Sequence, residues 1–366
     1  MKILVVQTGF FGDVVLSTPV FRNLKIRFPE AELFVLTTPH SASLVRFHPD
    51  VDEVLSYDKR GKDSSLFGLF RMSSALRRRK FDMVFSLHKS YRTALLLWLA
   101  GIPKRYGFDE AKARRLYTAC ASRKGFPHEV LRNLAILQNI GISPEETEQK
   151  MQIGIPADAL READELLSRF SLRKCIGVAP GSVWATKRWT VEGFSEVVRA
   201  LDSQGFSVVL IGGKNDLDAA IKIEQLSGVA VLNLVGRAKF MLSAAVISRL
   251  EILVTNDSAP LHIASACGTP VVAVFCATVP EFGFGPWKVP SETVGVQGLA
   301  CRPCARHGGQ HCPTGTNACQ LQLSPLAVLH AVKRVLAQSE EGRPAKSIES
   351  ANERIGEKKK RLKELR

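Results

Sequence analysis

Short apolar runs rich in Val, Ile, Leu and Phe alternate along the chain with longer amphipathic stretches. That is the pattern of strands and helices wound into parallel sheets whose strands are buried on both faces. In the first half it predicts strands over 2–7, 32–37, 53–57 and 81–87, with helices near 14–28, 67–80 and 128–140. In the second half it predicts strands over 175–179, 207–211, 231–234, 252–255 and 271–275, with helices near 191–204, 216–226, 239–249 and 260–267. A polar stretch, 143–150, followed by Ile153-Gly154-Ile155-Pro156, sets the expected boundary near residue 155. The expected fold is therefore α/β: two Rossmann-like, doubly wound parallel-sheet domains, 1–155 and 156–338, with the carboxyl ends of both sets of strands around a central cleft. Residues 339–366 form a charged tail without an apolar face of docking size, and it reads as flexible or a loose surface helix.

Composition agrees with this and narrows the partners. A chain of 366 residues exceeds what one core usually serves, and 45% hydrophobic with 23% charged residues is globular. No apolar run is long enough to cross a bilayer, and the start, Lys2 to Val6 leading directly into Gly9, is not a secretory leader. The expected location is the cytoplasm, with peripheral contact at the inner membrane. Fifty Lys and Arg against 35 Asp and Glu give a net charge of +15, which favours a polyanionic partner. Basic residues concentrate in the first half, as at Arg77 to Lys80, Lys89, Arg92, Lys104 and Arg105, but no nucleic-acid motif or aromatic stacking set accompanies them. Nucleic acid is not expected.

Three strand ends carry candidate chemistry. The first strand runs into Gly9-Phe10-Phe11-Gly12-Asp13. Glycines at such a corner admit close approach of a ligand, but the third glycine of the dinucleotide fingerprint is missing. Asp13 suits a helix cap and a general base exposed at the cleft mouth about equally. The first strand of the second half opens into Pro180-Gly181-Ser182, followed by Lys187-Arg188. Hydroxyl, amide and cation there suit a pyrophosphate, and a solvated cation pair beside a core tryptophan is as good a reading. The third strand end reads Asn256-Asp257-Ser258-Ala259-Pro260-Leu261-His262. Ser258 is placed to cap the next helix, Pro260 fits its first turn, and Asp257 suits sugar hydroxyls. His262 reads as a satisfied core histidine slightly before a ligand contact.

Cysteine usage argues against a disulfide scaffold. Cys301, Cys304, Cys312 and Cys319 are of a kind that holds structural zinc through four thiolates, yet their intervals are not those of a common zinc ribbon. Reduced packing cysteines or an occasional disulfide are the preferred reading, and no metal is expected at the reacting site.

Gly9 to Asp13, Pro180 to Trp189, Asp257 to His262, the Gly268-Thr269-Pro270 turn and Phe284-Gly285-Pro286-Trp287 together resemble glycosyltransferase family 9, over the chain up to about residue 338. The Cys-Pro pairs look most like its heptosyltransferases of the second-heptose type. The resemblance implies a GT-B architecture, with acceptor on the first domain and nucleotide sugar on the second. It matches Asp13 to the catalytic base, Lys187 and Ser182 to phosphate contacts, Asp257 to a contact with donor heptose, and Ser258 and Ala259 to amides facing pyrophosphate. Asp216, after Gly212-Gly213, falls where an acidic residue lies near the donor nucleoside. Many members have glycine at the positions of Ala259 and Cys276, so a side chain at either place is expected to narrow the pyrophosphate site.

The resulting expectation is inverting transfer of heptose from ADP-heptose to inner-core lipopolysaccharide, on Kdo-lipid A or its heptosylated form, with no cofactor required. Its rivals are another nucleotide-sugar transferase or epimerase of the same fold, and a non-catalytic polyanion binder.

Overall fold

The structure, a computed structural model, describes residues 1–170 and 174–341. Two six-stranded sheets organise it. The first contains β1 (Lys2–Val6), β2 (Glu32–Thr37), β3 (Glu53–Ser56), β4 (Met83–Ser86), β5 (Lys104–Phe108) and β6 (Ala119–Ala121). Its order is β3-β2-β1-β4-β5-β6. The second contains β7 (Cys175–Ala179), β8 (Ser207–Leu210), β9 (Leu232–Asn233), β10 (Ile252–Asn256), β11 (Val271–Val274) and β12 (Ser291–Val294), in the order β12-β11-β10-β7-β8-β9. Every pairing is parallel, as with Ile3 between Leu33 and Met83 and Val254 between Val178 and Val272. Both sheets are thus doubly wound, and each reverses its strand order once, between β1 and β4 and between β7 and β10. Loops leaving the strands at such a reversal diverge and open a crevice.

The continuous apolar runs of β1, β4, β7, β10 and β11 follow from burial on both faces: Ile3, Val5, Leu4 and Val6 are all fully buried, alternating between two apolar clusters. One of these clusters is continuous across the lobes, joining Val14 and Val15 of the first to Leu261 and Ile263 of the second. The three strands without a sequence signal, β5, β6 and β12, are short or polar; β6 and β12 are sheet edges. Helices Tyr91–Leu99, Ala157–Arg169 and Pro325–Glu341 are likewise additions to the sequence reading. Most of the charged tail, from residue 342, lies outside the described residues. Among the described residues no helix is long and apolar enough to cross a membrane.

One difference from expectation bears on the site. The helix expected over 14–28 is two helices, Phe11–Val15 and Thr18–Arg27. Pro19 causes the break, because it has no N–H to give to the carbonyl of Val15. The Thr18 hydroxyl takes that carbonyl at 2.8 Å and the Ser17 hydroxyl takes Val14 O at 2.7 Å. Gly12 and Asp13 therefore lie inside a short helix, free to be aimed separately from the longer one.

Candidate active site

Asp13 is the third residue of its helix, and its carboxylate turns back to accept the Phe10 N–H at 2.9 Å. Gly9 makes room for this: a β-carbon there would stand 2.5 Å from Asp13 Oδ2. Asp13 is only partly exposed, not open at the cleft mouth as expected. Burial raises its pKa above the ordinary 3.8, and the Glu129 carboxylate adds to the rise. The Phe10 N–H, Arg123 and Lys59 act in the opposite sense. A carboxylate raised in this way is a stronger base than a free aspartate and matches proton removal from a hydroxyl.

Around it stand groups that the sequence did not single out. Glu129 is gripped by Arg123, and Arg132 lies 3.6 Å from it. Lys59, from the loop after β3, donates to Thr8 Oγ1 at 3.2 Å and to His88 Nε2 at 3.1 Å. His88 follows β4, and its Nδ1 lies 3.1 Å from Thr93 Oγ1. Burial and the neighbouring cations push His88 down to about 4, so its Nε2 is a neutral acceptor for Lys59 at neutral pH. Burial also lowers Lys59 to about 8, with Arg60 lowering it further and Asp13 opposing. The carboxyl ends of β1, β3 and β4 thus converge on one cationic corner beside Asp13.

On the second lobe, Lys187 sits in a 3₁₀ turn, Ala185–Lys187, after β7. Its Nζ lies 2.6 Å from Asp257 Oδ2, with the two side chains 12% and 6% exposed. Thr278 donates to the same oxygen at 2.6 Å. The expected phosphate contact and sugar contact are therefore directly paired. Asn256 stitches their loops together: its Oδ1 accepts Trp189 N–H at 3.0 Å and its Nδ2 donates to Pro180 O at 2.7 Å. Arg188 does not face the cleft as half of a cation pair; its Nε braces Ser182 O at 2.8 Å. Asp216 accepts Gly213 N–H at 2.9 Å, and its carboxylate packs so close to Gly181 that a β-carbon there would meet it at 2.2 Å. Asp216 and Ser182 are thereby brought to one corner.

Ser258 stands at the N-cap of helix Ala259–Cys267, but its hydroxyl makes no cap bond among the described residues. It leans to Asn256 O at 3.4 Å. This corrects the capping expectation, because the extended backbone at Ser258, with φ −154° and ψ 176°, carries the hydroxyl away from the first turn. Pro260 does occupy that turn as expected. Pro260 has no N–H and the Leu261 N–H donates to Ser258 O at 3.2 Å, so within the first turn the Ala259 amide lacks an intrahelical acceptor and suits an anion.

His262 is not a satisfied core histidine. It is 4% exposed, and its Nδ1 has no hydrogen-bond partner among the described residues. Burial, with His128 and Lys187 adding, lowers it to about 3. Gly12 meets its ring edge: a β-carbon on Gly12 would stand 2.8 Å from His262 Cδ2. The glycine read as leaving space for ligand instead lets the Asp13 helix lie against the helix that begins at the cleft. Phe11 stacks on Phe240 at 5.2 Å, and His128 on Trp287 at 4.2 Å, so the lobes also meet through ring pairs.

The cysteine segment lies at this site. Among the described residues no three His, Cys, Asp or Glu side chains gather to hold a metal, and all eight cysteines are free. The segment instead clamps the Lys187 turn: Thr186 N–H donates to Gly309 O at 3.0 Å, and Gly309 N–H donates to Thr186 Oγ1 at 2.8 Å. The adjacent Gly308-Gly309 pair was the available sequence signal. Cys276 is fully buried in the second lobe's core, so it presents no surface to a ligand and does not narrow the site as expected. Ala259 does border it.

Comparison with known proteins places this arrangement. The model of glycosyltransferase family 9 (heptosyltransferase) matches residues 69–312, two thirds of the chain. Lipopolysaccharide heptosyltransferase 2 of Salmonella typhimurium is 28% identical over 77% of this chain and 84% of its own length. Lipooligosaccharide heptosyltransferase 2 of Campylobacter jejuni is 24% identical over 93% of this chain and 99% of its own. A family 9 glycosyl transferase from Veillonella parvula superposes with a TM-score of 0.82 at 24% identity, covering 92% of this chain and 97% of that one. The ADP-heptose lps heptosyltransferase II of E. coli superposes with a TM-score of 0.75 at 24% identity, covering 93% and 100%. These likenesses confirm the two-lobed GT-B fold, and with the match of the family model they establish that the chain belongs to glycosyltransferase family 9, the heptosyltransferases.

Proposed function

We propose that the protein transfers heptose from ADP-heptose to the inner core of lipopolysaccharide with inversion at the anomeric carbon. The observation that carries this reading is the abutment of Gly12 on His262, which sets the raised-pKa Asp13 carboxylate of one lobe against the helix that adjoins Lys187 and Asp257 on the other.

Asp13 takes the proton from the acceptor hydroxyl as its oxygen attacks the anomeric carbon, and the bond to ADP breaks with its electrons going to the phosphate oxygen. The departing pyrophosphate needs charge stabilisation more than a protonating acid. Lys187, the Ser182 hydroxyl and the amides at Ser258 and Ala259 supply it, so turnover requires no divalent ion. Asp257 orients the sugar while holding Lys187, Asp216 serves the nucleoside end beside Gly181, and His262 borders the donor through its helix. The acceptor approaches from the first lobe, where Lys59 faces an anionic sugar or phosphate.

The test is ADP release from ADP-heptose with Kdo-lipid A or its mono-heptosylated form, for the wild type, Asp13→Ala and Lys187→Ala. Acceptor-dependent release lost in Asp13→Ala supports the reading. Wild-type inactivity with both acceptors would refute the assigned substrates.

A further inference from the structure

Helices Leu66–Arg79 and Tyr91–Leu99 lie side by side on one face of the first sheet. Their inner positions, Leu69, Leu76, Ala94 and Leu97, pack on Leu4 and Val6 of β1. Their outer positions are not the polar face that such helices usually present. Leu66 is 69% exposed, Phe67 74%, Phe70 55%, Tyr91 57% and Trp98 50%. Arg92 joins the two helix starts, donating to Tyr57 Oη at 2.8 Å and to Ser65 O at 2.7 Å, which sets Tyr91 near Leu66 and Phe67. Farther along the stripe defined by Phe67 and Phe70 come Ser74, Arg77 and Arg78, exposed and without a carboxylate partner among the described residues.

Charge says what this face meets. From Ser64 to Phe108 the chain carries nine Lys and Arg and a single carboxylate, Asp82, which is bound to the Lys2 N–H at 2.7 Å. Arg71, Arg79 and Lys89 pair with Asp63, Glu53 and Glu110 from outside this stretch, and the other six keep the excess of positive charge. A protein partner with an apolar patch does not require that imbalance. An anionic lipid surface does: Leu and Phe enter the acyl boundary, Tyr and Trp sit at headgroup level, and guanidinium groups meet lipid phosphates. The face also borders the Asp13 corner, because both helices follow strand ends that supply Lys59 and His88, and Arg60 stands over the half-exposed Phe10 ring at 5.5 Å.

We propose that the outer face of these two helices seats the protein on an anionic lipid bilayer, with the Asp13 side of the cleft turned toward the membrane. The inference deepens the functional reading above, since it supposes an acceptor that arrives in a membrane. Its test measures seating without donor or acceptor, so a wrong substrate assignment and a wrong surface give different results. The full chain is sedimented with phosphatidylcholine vesicles with and without phosphatidylglycerol, at low and high salt. We expect binding only to the anionic vesicles, and weaker binding in high salt.

Leu66→Ser/Phe67→Ser/Phe70→Ser and Arg77→Gln/Arg78→Gln should each lower the partition coefficient, the first by about tenfold or more. The substituted side chains are exposed, so both variants should keep wild-type turnover of a soluble, deacylated acceptor. Wild type failing to bind anionic vesicles would overturn the proposal, as would the Leu-Phe variant binding like wild type. It would also be overturned if Lys358→Gln/Lys359→Gln/Lys360→Gln alone abolished binding, which would assign it to the tail. A wild-type dimer that the Leu-Phe variant splits would assign the face to a second copy.

Discussion

The pairing of Lys187 with Asp257 makes a quantitative prediction. At 2.6 Å and an effective dielectric of about 20, their gross attraction is about 6 kcal/mol. Desolvation of two nearly buried groups cancels much of this, so the net contribution of the pair is small. Removing one partner is different, because it strands a charge beside the buried Thr278 hydroxyl and the Gly308 backbone. Lys187→Met and Asp257→Asn should therefore each cost about 3 kcal/mol, while the double variant should recover about 2 kcal/mol relative to additivity. Urea unfolding followed by tryptophan fluorescence reads mainly the second lobe, since three of the four tryptophans, Trp184, Trp189 and Trp287, belong to it and only Trp98 to the first. A single-variant loss of this size moves the midpoint by about 1 M. The reasoning fails if the two losses simply add within about 0.5 kcal/mol, for then the charges do not sense each other.

Three further outcomes follow from neighbouring contacts. Glu129 raises the Asp13 pKa, so activity should fall on acidification with a midpoint above the ordinary 3.8 as Asp13 takes up its proton. Glu129→Gln removes that contribution and leaves Arg123 uncompensated, so the acid limb of the kcat/KM profile should move to lower pH; a move to higher pH contradicts the assignment. Gly12→Ala gains about 1 kcal/mol of helix propensity but drives a methyl to 2.8 Å from the His262 ring, a crowding cost of about 1–3 kcal/mol. It should lower both Tm and kcat/KM, and a variant more stable than wild type would show that the lobes do not meet there. Asn256→Ala leaves Trp189 N–H and Pro180 O unpaired in a buried site, at about 3 kcal/mol together, and should lower Tm by about 5 °C in calorimetry.

How far the site could be read from sequence depends on whether a residue's partner is local. Asp13, Ser182, Lys187 and Asp257 were legible because each follows an apolar run at a strand-to-helix corner, the place where an open α/β sheet presents its ligand groups. Their mutual contacts were not. The Lys187–Asp257 pair spans seventy residues, and nothing at either position announces the other. Lys59 lies in a loop with no period and acquires meaning only when β1, β3 and β4 bring Thr8 and His88 to it. The same limit explains the strands that went unseen, for β6 has three residues and β12 alternates weakly at an edge, whereas the buried central strands need uninterrupted apolar sequence.

Two local rules also yielded to tertiary context. Ser258 has the residue type and position of a cap, yet its backbone is too extended to make the bond, and the Ala259 amide is left to a ligand. Gly12 has the look of a ligand-approach glycine, but the group approaching it is His262. In both cases the departure from the local expectation shapes the cleft: the Ala259 amide stays open, and the missing β-carbon lets the Asp13-bearing helix reach that helix. Pro19 is a signal fully present in the sequence: its missing N–H ends the first helix after a single turn. Had helix continued through 14–28, the side chain of Asp13 would be set by a long element packed on the first sheet. The break leaves a short segment whose position is fixed by Phe11 on Phe240 and by Gly12 on His262, so the orientation of Asp13 is determined by contact with the second lobe.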